Sequence, residues 1–420
     1  MELTPSQTQA ADKIALLWMH GQEVITLAGP AGTGKTTVLK ALAGEYFNEV
    51  DHVVVAPTNK AASVLRGKGV RAATLYSVFF IPVELPDGRV KFEPCDHWLV
   101  NEKRRKAESG DPFGGEEPTL PFGKRDFAEV VIVDEASMLT SWVIRHLRRM
   151  CKTLILVGDH HQLPPVNDQD NPEGFFCACN HDVALTEVLR QGGDSPILLL
   201  AGHIRERRFP GNLVKSFIPS QPFNAWYDGS QKILAFTNKN RRKINMLARE
   251  ALGRKTVLPT KGDILVCNTN LDDDIFNGTE MVVDEFKWVY LKDEPLNTSP
   301  VAEVWVTIDG VPSRKQVFID MRRFLEDLPE DKVPGKVVSV LKAISEKPDA
   351  IEGVSASYGY CLTAHKAQGG EWAEVCVLDE RFVLNKVDPT GETCRRWLYT
   401  AITRASEKLT FTDASWFSLR

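Results

Sequence analysis

No run of eighteen apolar residues occurs anywhere in the 420 residues, which excludes a membrane-spanning helix. The first residues are polar and lack a positive-then-apolar leader, so a cytoplasmic protein is expected. Cysteine is sparse and unpatterned. Eight scattered thiols show no pairing rhythm, which suits a reducing compartment and argues against a disulfide framework. Cys177, Cys179 and His181 lie close together, but C-x-C-x-H is not a common zinc spacing, and thiols without metal are expected there. There is no excess of positive charge, the formal net charge being −5. That leaves nucleic acid open as a partner, because a binding groove needs only local positive charge. Clusters of that kind occur at Lys103–Lys106, Arg205/Arg207/Arg208, Arg241–Lys243 and Arg395-Arg396, each by itself the pattern of a solvated face. A cluster of spare carboxylates that would suit a nuclease is also missing. What remains is 43% hydrophobic and 25% charged, the balance of a soluble globular protein, and too long for one core, so at least two domains are expected.

The chain is organised around Gly29-Pro30-Ala31-Gly32-Thr33-Gly34-Lys35-Thr36-Thr37, which meets every fixed position of the phosphate-loop pattern G-x-x-x-x-G-K-[ST]. The apolar run Val24–Ala28 before it reads as a buried strand. Thr37–Ala43 after it reads as a helix ended at Gly44. Glycines let backbone N–H groups approach a phosphate, and the helix N-terminus adds a favourable field. Lys35 is expected to reach the β- and γ-phosphates of a nucleotide, and the Thr36 hydroxyl to hold magnesium. Val130–Val133 is a second buried strand, ending in Asp134-Glu135. In a parallel sheet that strand end lies beside the phosphate loop. Asp134 would hold magnesium, and Glu135 would orient and activate the attacking water; the alternative is an acidic helix N-terminus.

Other stretches leave their readings open. Thr4-Pro5 opens a helix, and Gln7 either closes a capping box or contacts adenine through its amide. Val53–Ala56 is a strand running into Pro57–Leu65, whose Thr58 and Asn59 suit either phosphate contacts or a plain capped turn. Leu154–Asp159 is another strand. Gln162 beyond it could reach a γ-phosphate, or belong to a polar loop pinned by Pro164-Pro165. Residues 80–126 read as an insertion, with a hairpin turning at Pro86-Asp87-Gly88 and a charged, Gly/Pro-rich segment after it. A second βα series begins at Ile233–Thr237. The β-rich runs from Lys261, among them Thr279–Val283, Trp288–Leu291 and Val301–Ile308, suggest a small barrel-like insertion.

Together these stretches resemble the superfamily 1B, RecD-like helicases, with a layout similar to the phage Dda-type members. The resemblance covers nearly the whole chain, with motifs in family order: the Q motif at Leu3–Ala10, I at Gly29–Thr37, Ia at Ala56–Leu65, Ib at Thr74–Phe79, II at Val133–Met138, III at Gly158–Pro165, IV at Leu185–Gln191, V at Tyr358–Glu371 and VI at Leu398–Ala405. It implies an α/β fold of two RecA-like parallel-sheet lobes. Residues 1–79 and 127–187 would form domain 1A, and 80–126 a pin domain 1B. Residues 188–275 and 352–420 would form domain 2A, and 276–351 an SH3-like barrel, domain 2B.

The resemblance also assigns roles. ATP and Mg2+ would be the cofactors, with Gln7 on adenine and Gly370 among the nucleotide contacts. Gln162 would sense the γ-phosphate, and Arg190 and Arg404 would act as arginine fingers. Thr58, Asn59, Ser77, Thr363 and His365 would contact single-stranded DNA, and Pro164 would shape its path. The implied activity is 5′-to-3′ translocation on single strands and separation of duplex junctions by a monomer, with accessory proteins unidentified. A motor acting mainly on RNA or on bound proteins, and a nucleotide-gated binding module that never translocates, are the rival readings. For strand separation, the 86–88 hairpin with Phe79, Phe80, Phe92 and Trp98 is either a wedge or an ordinary surface hairpin.

Overall fold

The computed structural model describes residues 3–84, 90–108, 119–166, 168–188, 195–208, 214–219, 223–272, 274–288, 301–329 and 353–413. The chain divides into two compact units, 1–195 and 196–420. Among the described residues no helix is long and apolar enough to cross a membrane.

The first unit contains strands β1 (Val24–Ala28), β2 (His52–Ala56), β3 (Ala72–Thr74), β4 (Phe80–Glu84), β5 (Val90–Pro94), β6 (Ala128–Val133), β7 (Cys151–Gly158) and β8 (Val183–Ala184). Six of them form one sheet in the order β3-β2-β6-β7-β1-β8, and every pairing in it is parallel. Val, Ile and Leu fill the central strands because helices cover both faces, so there is no solvent side to demand alternation. Thr4 caps helix Pro5–Met19 with Pro5 in its first turn, as the sequence predicts. The helix after the phosphate loop does not stop at Gly44. It continues as a π turn over Leu42–Tyr46, where Leu42 and Phe47 are buried and the Phe47 ring meets Trp18 edge-on at 5.2 Å.

β4 and β5 form the expected hairpin. Its tip at Pro86-Asp87-Gly88 lies outside the described residues. Phe79 and Phe80 are fully buried with Leu75, Val78 and Leu147, so the core claims them and they are not available as wedge residues. Phe92 is exposed and rests on the Tyr76 ring at 5.0 Å. The charged residues after it continue a helix, Cys95–Glu108.

The second unit contains β9 (Lys232–Ala235), β10 (Ile264–Cys267), β11 (Glu280–Trp288), β12 (Val301–Thr307), β13 (Lys315–Asp320), β14 (Ala356–Tyr358), β15 (Cys361–Thr363), β16 (Trp372–Asp379) and β17 (Ala405–Asp413). A parallel sheet runs β15-β9-β16-β17, and an antiparallel one runs β13-β12-β11-β10-β14. The antiparallel sheet takes strands from both sides of the expected 276–351 insertion. Among the described residues its ladder does not close into a barrel, but one parallel bridge, Ile319 to Val354, draws its two edges together. Gly353 permits that approach, since a Cβ there would sit 2.5 Å from the Asp320 nitrogen.

One core serves both sheets of this unit, from Ile233 and Ile244 to Met281, Val304 and Tyr358. Inside it Arg249 and Asp263 are completely buried and paired at 2.9 Å. Arg249 also donates to the carbonyls of Thr256 and Leu258, while Asp263 accepts from Arg254, Thr260 and the Tyr360 hydroxyl. The network ties helix Asn238–Ala251 to the entry of β10 and to the chain between β14 and β15. Every partner is satisfied, so removing one orphans the others. Arg249→Ala is therefore expected to cost about 3 kcal/mol in urea unfolding of the second unit. Arg249→Lys, which keeps the charge but not the forked donors, should fall in between.

Candidate nucleotide site and nucleic-acid contacts

Five adjacent strands of the first sheet hand the chain to the candidate residues at their carboxyl ends. β1 leads to Gly29–Thr37, β2 to Thr58-Asn59, β3 to Ser77, β6 to Asp134-Glu135, and β7 to Gln162 and Pro164. Parallel pairing puts all of them on one edge, the usual ligand edge of such a sheet. The ladder continues past the strand ends: Gly29 N–H donates to the Gly158 carbonyl (3.1 Å), Asp134 N–H to that of Val55 (3.0 Å), and Leu185 N–H to that of Ala28 (2.8 Å).

The phosphate loop is already curled into a cradle. Gly32 and Gly34 have φ of 82° and 79°, a region closed to most side chains. The Lys35 ammonium donates to the Gly29 and Pro30 carbonyls at 2.7 and 3.0 Å, and the Thr33 hydroxyl to the Pro30 carbonyl at 2.9 Å. Gln7 realises its capping box, accepting from Thr4 N–H at 3.0 Å, and its amide donates to the Thr33 carbonyl at 3.4 Å. Its side chain thus braces the loop.

Glu135 is held at φ 53°, one of two non-glycine residues in the left-handed region among those described. Its Oε2 is buried with no hydrogen-bond partner among the described residues, as is the neighbouring Ser137 hydroxyl. A strained backbone carrying an unsatisfied carboxylate oxygen is costly, and such cost concentrates where a reactant will complete the contacts. Asp134 accepts from Glu135 N–H at 2.9 Å. Burial first, and then the adjacent Glu135 charge, push its carboxyl up to about 6 against the pull of Lys35. A cation would relieve both effects. Thr36 and Asp134 offer hard oxygen donors, the kind magnesium takes when phosphates supply the rest. Among the described residues no cluster of three His, Cys, Asp or Glu side chains could hold a metal, Cys177, Cys179 and His181 included.

Gln162 is buried, and its N–H donates to the Asp159 carbonyl at 3.2 Å. Gly158 is forced by packing, since a Cβ would meet the Phe176 ring at 2.9 Å and Ala136 nitrogen at 3.2 Å. The Thr58 hydroxyl caps helix Asn59–Gly67 by accepting from Ala61 N–H, which leaves its proton to donate. The Ser77 hydroxyl gives its proton to the Thr74 carbonyl at 2.8 Å and must release it to donate elsewhere.

In the second unit Thr363, His365, Gly370 and Arg404 are linked through one turn. Thr363 ends β15 and its hydroxyl accepts from Lys366 N–H; Arg404 is buried and donates to the Gly370 and Thr400 carbonyls at 3.0 and 3.1 Å. Burial lowers the pKa of His365, favouring its neutral form. Arg190 lies outside the described residues.

Two positioning residues have no sequence signal strong enough to find them. Asp182 accepts from the Gln22 amide and from both the N–H and the hydroxyl of Thr26, clamping β1 behind the phosphate loop. Burial opposes its charge, but these bonds hold the carboxyl below its ordinary range. Glu380 is buried at the end of β16 and accepts from Phe236 N–H, the Thr237 hydroxyl and the Asn240 amide.

Two family models match: an AAA domain over residues 2–215 and a UvrD-like helicase C-terminal domain over 358–412. The chain belongs to the AAA-domain family, within the superfamily 1B helicases. It is 25% identical to the ATP-dependent DNA helicase dda of Enterobacteria phage T4, over 63% of this chain and 60% of that one. It is also 25% identical to the ATP-dependent RecD2 DNA helicase of Deinococcus radiodurans, over 97% of this chain and 48% of that one. The chain thus spans about half to three-fifths of the length of these two curated relatives. Among solved structures, the Pif1 helicase of Candida albicans superposes with a TM-score of 0.54 at 17% identity, covering 98% of this chain and 95% of that one. Bacteroides Pif1 bound to ssDNA does so at 0.56 and 17%, covering 98% and 92%. The fold is accordingly two RecA-like lobes.

The cradle makes a direct prediction. An alanine Cβ at Gly29 would sit 2.6 Å from the Thr33 hydroxyl and 3.2 Å from Leu185. Gly29→Ala should therefore weaken binding of a fluorescent adenosine diphosphate analogue about tenfold, or about 1.4 kcal/mol, with the fold intact by circular dichroism.

Proposed function

We propose that the chain is an ATP-dependent DNA helicase that translocates on single strands and opens duplex junctions. The observation that carries the reading is the shared sheet edge: a preformed phosphate cradle, a strained and unsatisfied Glu135, a half-buried Asp134 and the Gln162 loop. Magnesium would be held by Thr36 and Asp134. When bound it would supply positive charge to the phosphates. Glu135 would take the proton of the attacking water through its free Oε2. Lys35 would exchange two loop carbonyls for phosphate oxygens, and Gln162 would report the γ-phosphate. Arg404 is proposed as an arginine finger, which requires its guanidinium to leave the Gly370 and Thr400 carbonyls. Arg190 is proposed for the same role on the resemblance alone.

Thr58, Asn59, Ser77, Pro164, Thr363 and His365 are proposed contacts to the strand. Thr58 is the best prepared, its hydroxyl proton being available. Backbone contacts of this kind imply weak sequence preference and binding that weakens with salt. Movement from 5′ to 3′ and action as a monomer rest on the resemblance. A cytoplasmic location is supported by eight free cysteines.

Two measurements test the reading. A 5′-tailed duplex should be opened with ATP and a 3′-tailed one should not. Stimulation of ATP hydrolysis by RNA but not DNA, or strand binding that toggles with ATP without turnover, would favour the rival readings. Glu135→Gln should keep nucleotide affinity within about twofold while turnover falls by a factor of at least about 10²; near-normal turnover would remove Glu135 from its role. Arg404→Ala should lower turnover far more than ATP affinity, and equal losses would indicate a folding role.

A further inference from the structure

The second unit holds a pocket of about 340 Å³ that none of the roles above uses. Its walls are the end of helix Pro196–Arg205 and the residues after it, helix Arg381–Val387, and the start of helix Glu392–Ile402. Arg207, Arg208, Arg381 and Arg395 line it, and Glu392 is the sole acid among its lining residues. That acid is already shared: Arg395 and Arg396 each donate to it at 2.9 Å, and Arg207 lies 3.5 Å away. The Arg395 hydrogen bond outweighs burial and holds the Glu392 carboxyl down to about 2. Outside the wall, Asp379 pairs with Arg381, Glu206 lies 3.6 Å from Arg208, and Asp388 is engaged by Thr390 and Thr393.

Among the described residues each wall arginine has a carboxylate within 3.6 Å, but Glu392 is shared by three guanidiniums, so cations outnumber acids there. The Arg395 side chain is largely buried, and its Nη1 has no hydrogen-bond partner among the described residues. Glu392–Ile402 is an eleven-residue helix that starts from Gly391, with its Glu392 and Thr393 N–H groups donating to the Thr390 hydroxyl and the Asp388 carboxylate. Arg207, at φ 60°, is the other left-handed non-glycine residue besides Glu135 among the described residues. Forked guanidiniums converging on a concavity match a tetrahedral oxyanion. The volume falls in the roughly 300–1,000 Å³ range of small-ligand pockets.

We propose that this pocket is a second phosphate-binding site, separate from the phosphate loop, that receives a compact phosphoryl group such as pyrophosphate or a terminal phosphate. The group could belong to a free nucleotide or to the 5′ end of a strand. The site stands independently of the helicase reading.

Calorimetric titration of the full chain with inorganic pyrophosphate tests it. Two sites are expected. Lys35→Ala should weaken one of them. Arg395→Gln should weaken the other tenfold or more, and the double variant Arg207→Gln/Arg208→Gln severalfold. The last two side chains are exposed, so the double variant decides the matter if Arg395→Gln fails to fold. A single site lost with Lys35→Ala, or a second site unmoved in the folded double variant, overturns the proposal. In the Lys35→Ala chain, competition by ATP assigns the site to nucleotides. Competition by a 5′-phosphorylated oligothymidylate, but not its unphosphorylated twin, assigns it to strand ends. Competition by neither rejects it.

Discussion

Parallel backbone pairing in the first unit is the constraint on which the candidate site depends. A parallel ladder admits one direction and one register for each strand, and here it does not end at the last strand residue. The bonds from Gly29 to Gly158, Asp134 to Val55 and Leu185 to Ala28 carry it into the loops. Three loops distant in sequence are thereby held by backbone groups, which tolerate almost any side chain. The side chains are left to do chemistry. Asp182 reinforces the same point from behind, gripping the N–H and hydroxyl of Thr26 in the middle of β1.

Energetically, the two units treat buried charge in opposite ways. In the second, Arg249 and Asp263 are completely buried, and each has several further partners, so the pair serves cohesion. At the site in the first unit, Asp134 is desolvated beside a like charge and Glu135 keeps an oxygen without a partner. That arrangement is unfavourable by itself and becomes favourable only when something positive and something protic enter. Instability confined to a few atoms on a rigid sheet edge is what a preorganised reaction site requires.

The strand contacts show how local needs compete with ligand needs. Thr58, Ser77 and Thr363 were candidates because small hydroxyls suit phosphates, yet each is also part of a cap or turn. The two demands are compatible where the hydroxyl accepts, as at Thr58, and conflict where it donates, as at Ser77. The aromatic residues beside the hairpin divide similarly. Phe79 and Phe80 went to the core because β4 begins against Leu75 and Leu147, while Phe92, on the opposite strand, remains at the surface.

Much of this was legible in the sequence because it is local. The phosphate loop needs glycines at fixed offsets, a buried parallel strand needs a short β-branched run, and a helix start needs Thr4 and Pro5; each leaves its mark within a few residues. The antiparallel sheet of the second unit was legible only in part. β13 lacks a strong apolar pattern, and β14, which pairs with β10, comes from beyond the β-rich runs that suggested the sheet. What only the fold shows is how two similar patterns differ physically. Val133-Asp134-Glu135 and Leu378-Asp379-Glu380 both end an apolar strand in two acids. Tertiary contacts separate them: Asp379 is paired with Arg381 and Glu380 is saturated by the Phe236–Asn240 turn, whereas the buried Glu135 Oε2 has no donor among the described residues. Whether a carboxylate braces a turn or awaits a reactant depends on which donors the fold brings to it, and for Glu380 those donors lie at least 140 residues away in the chain.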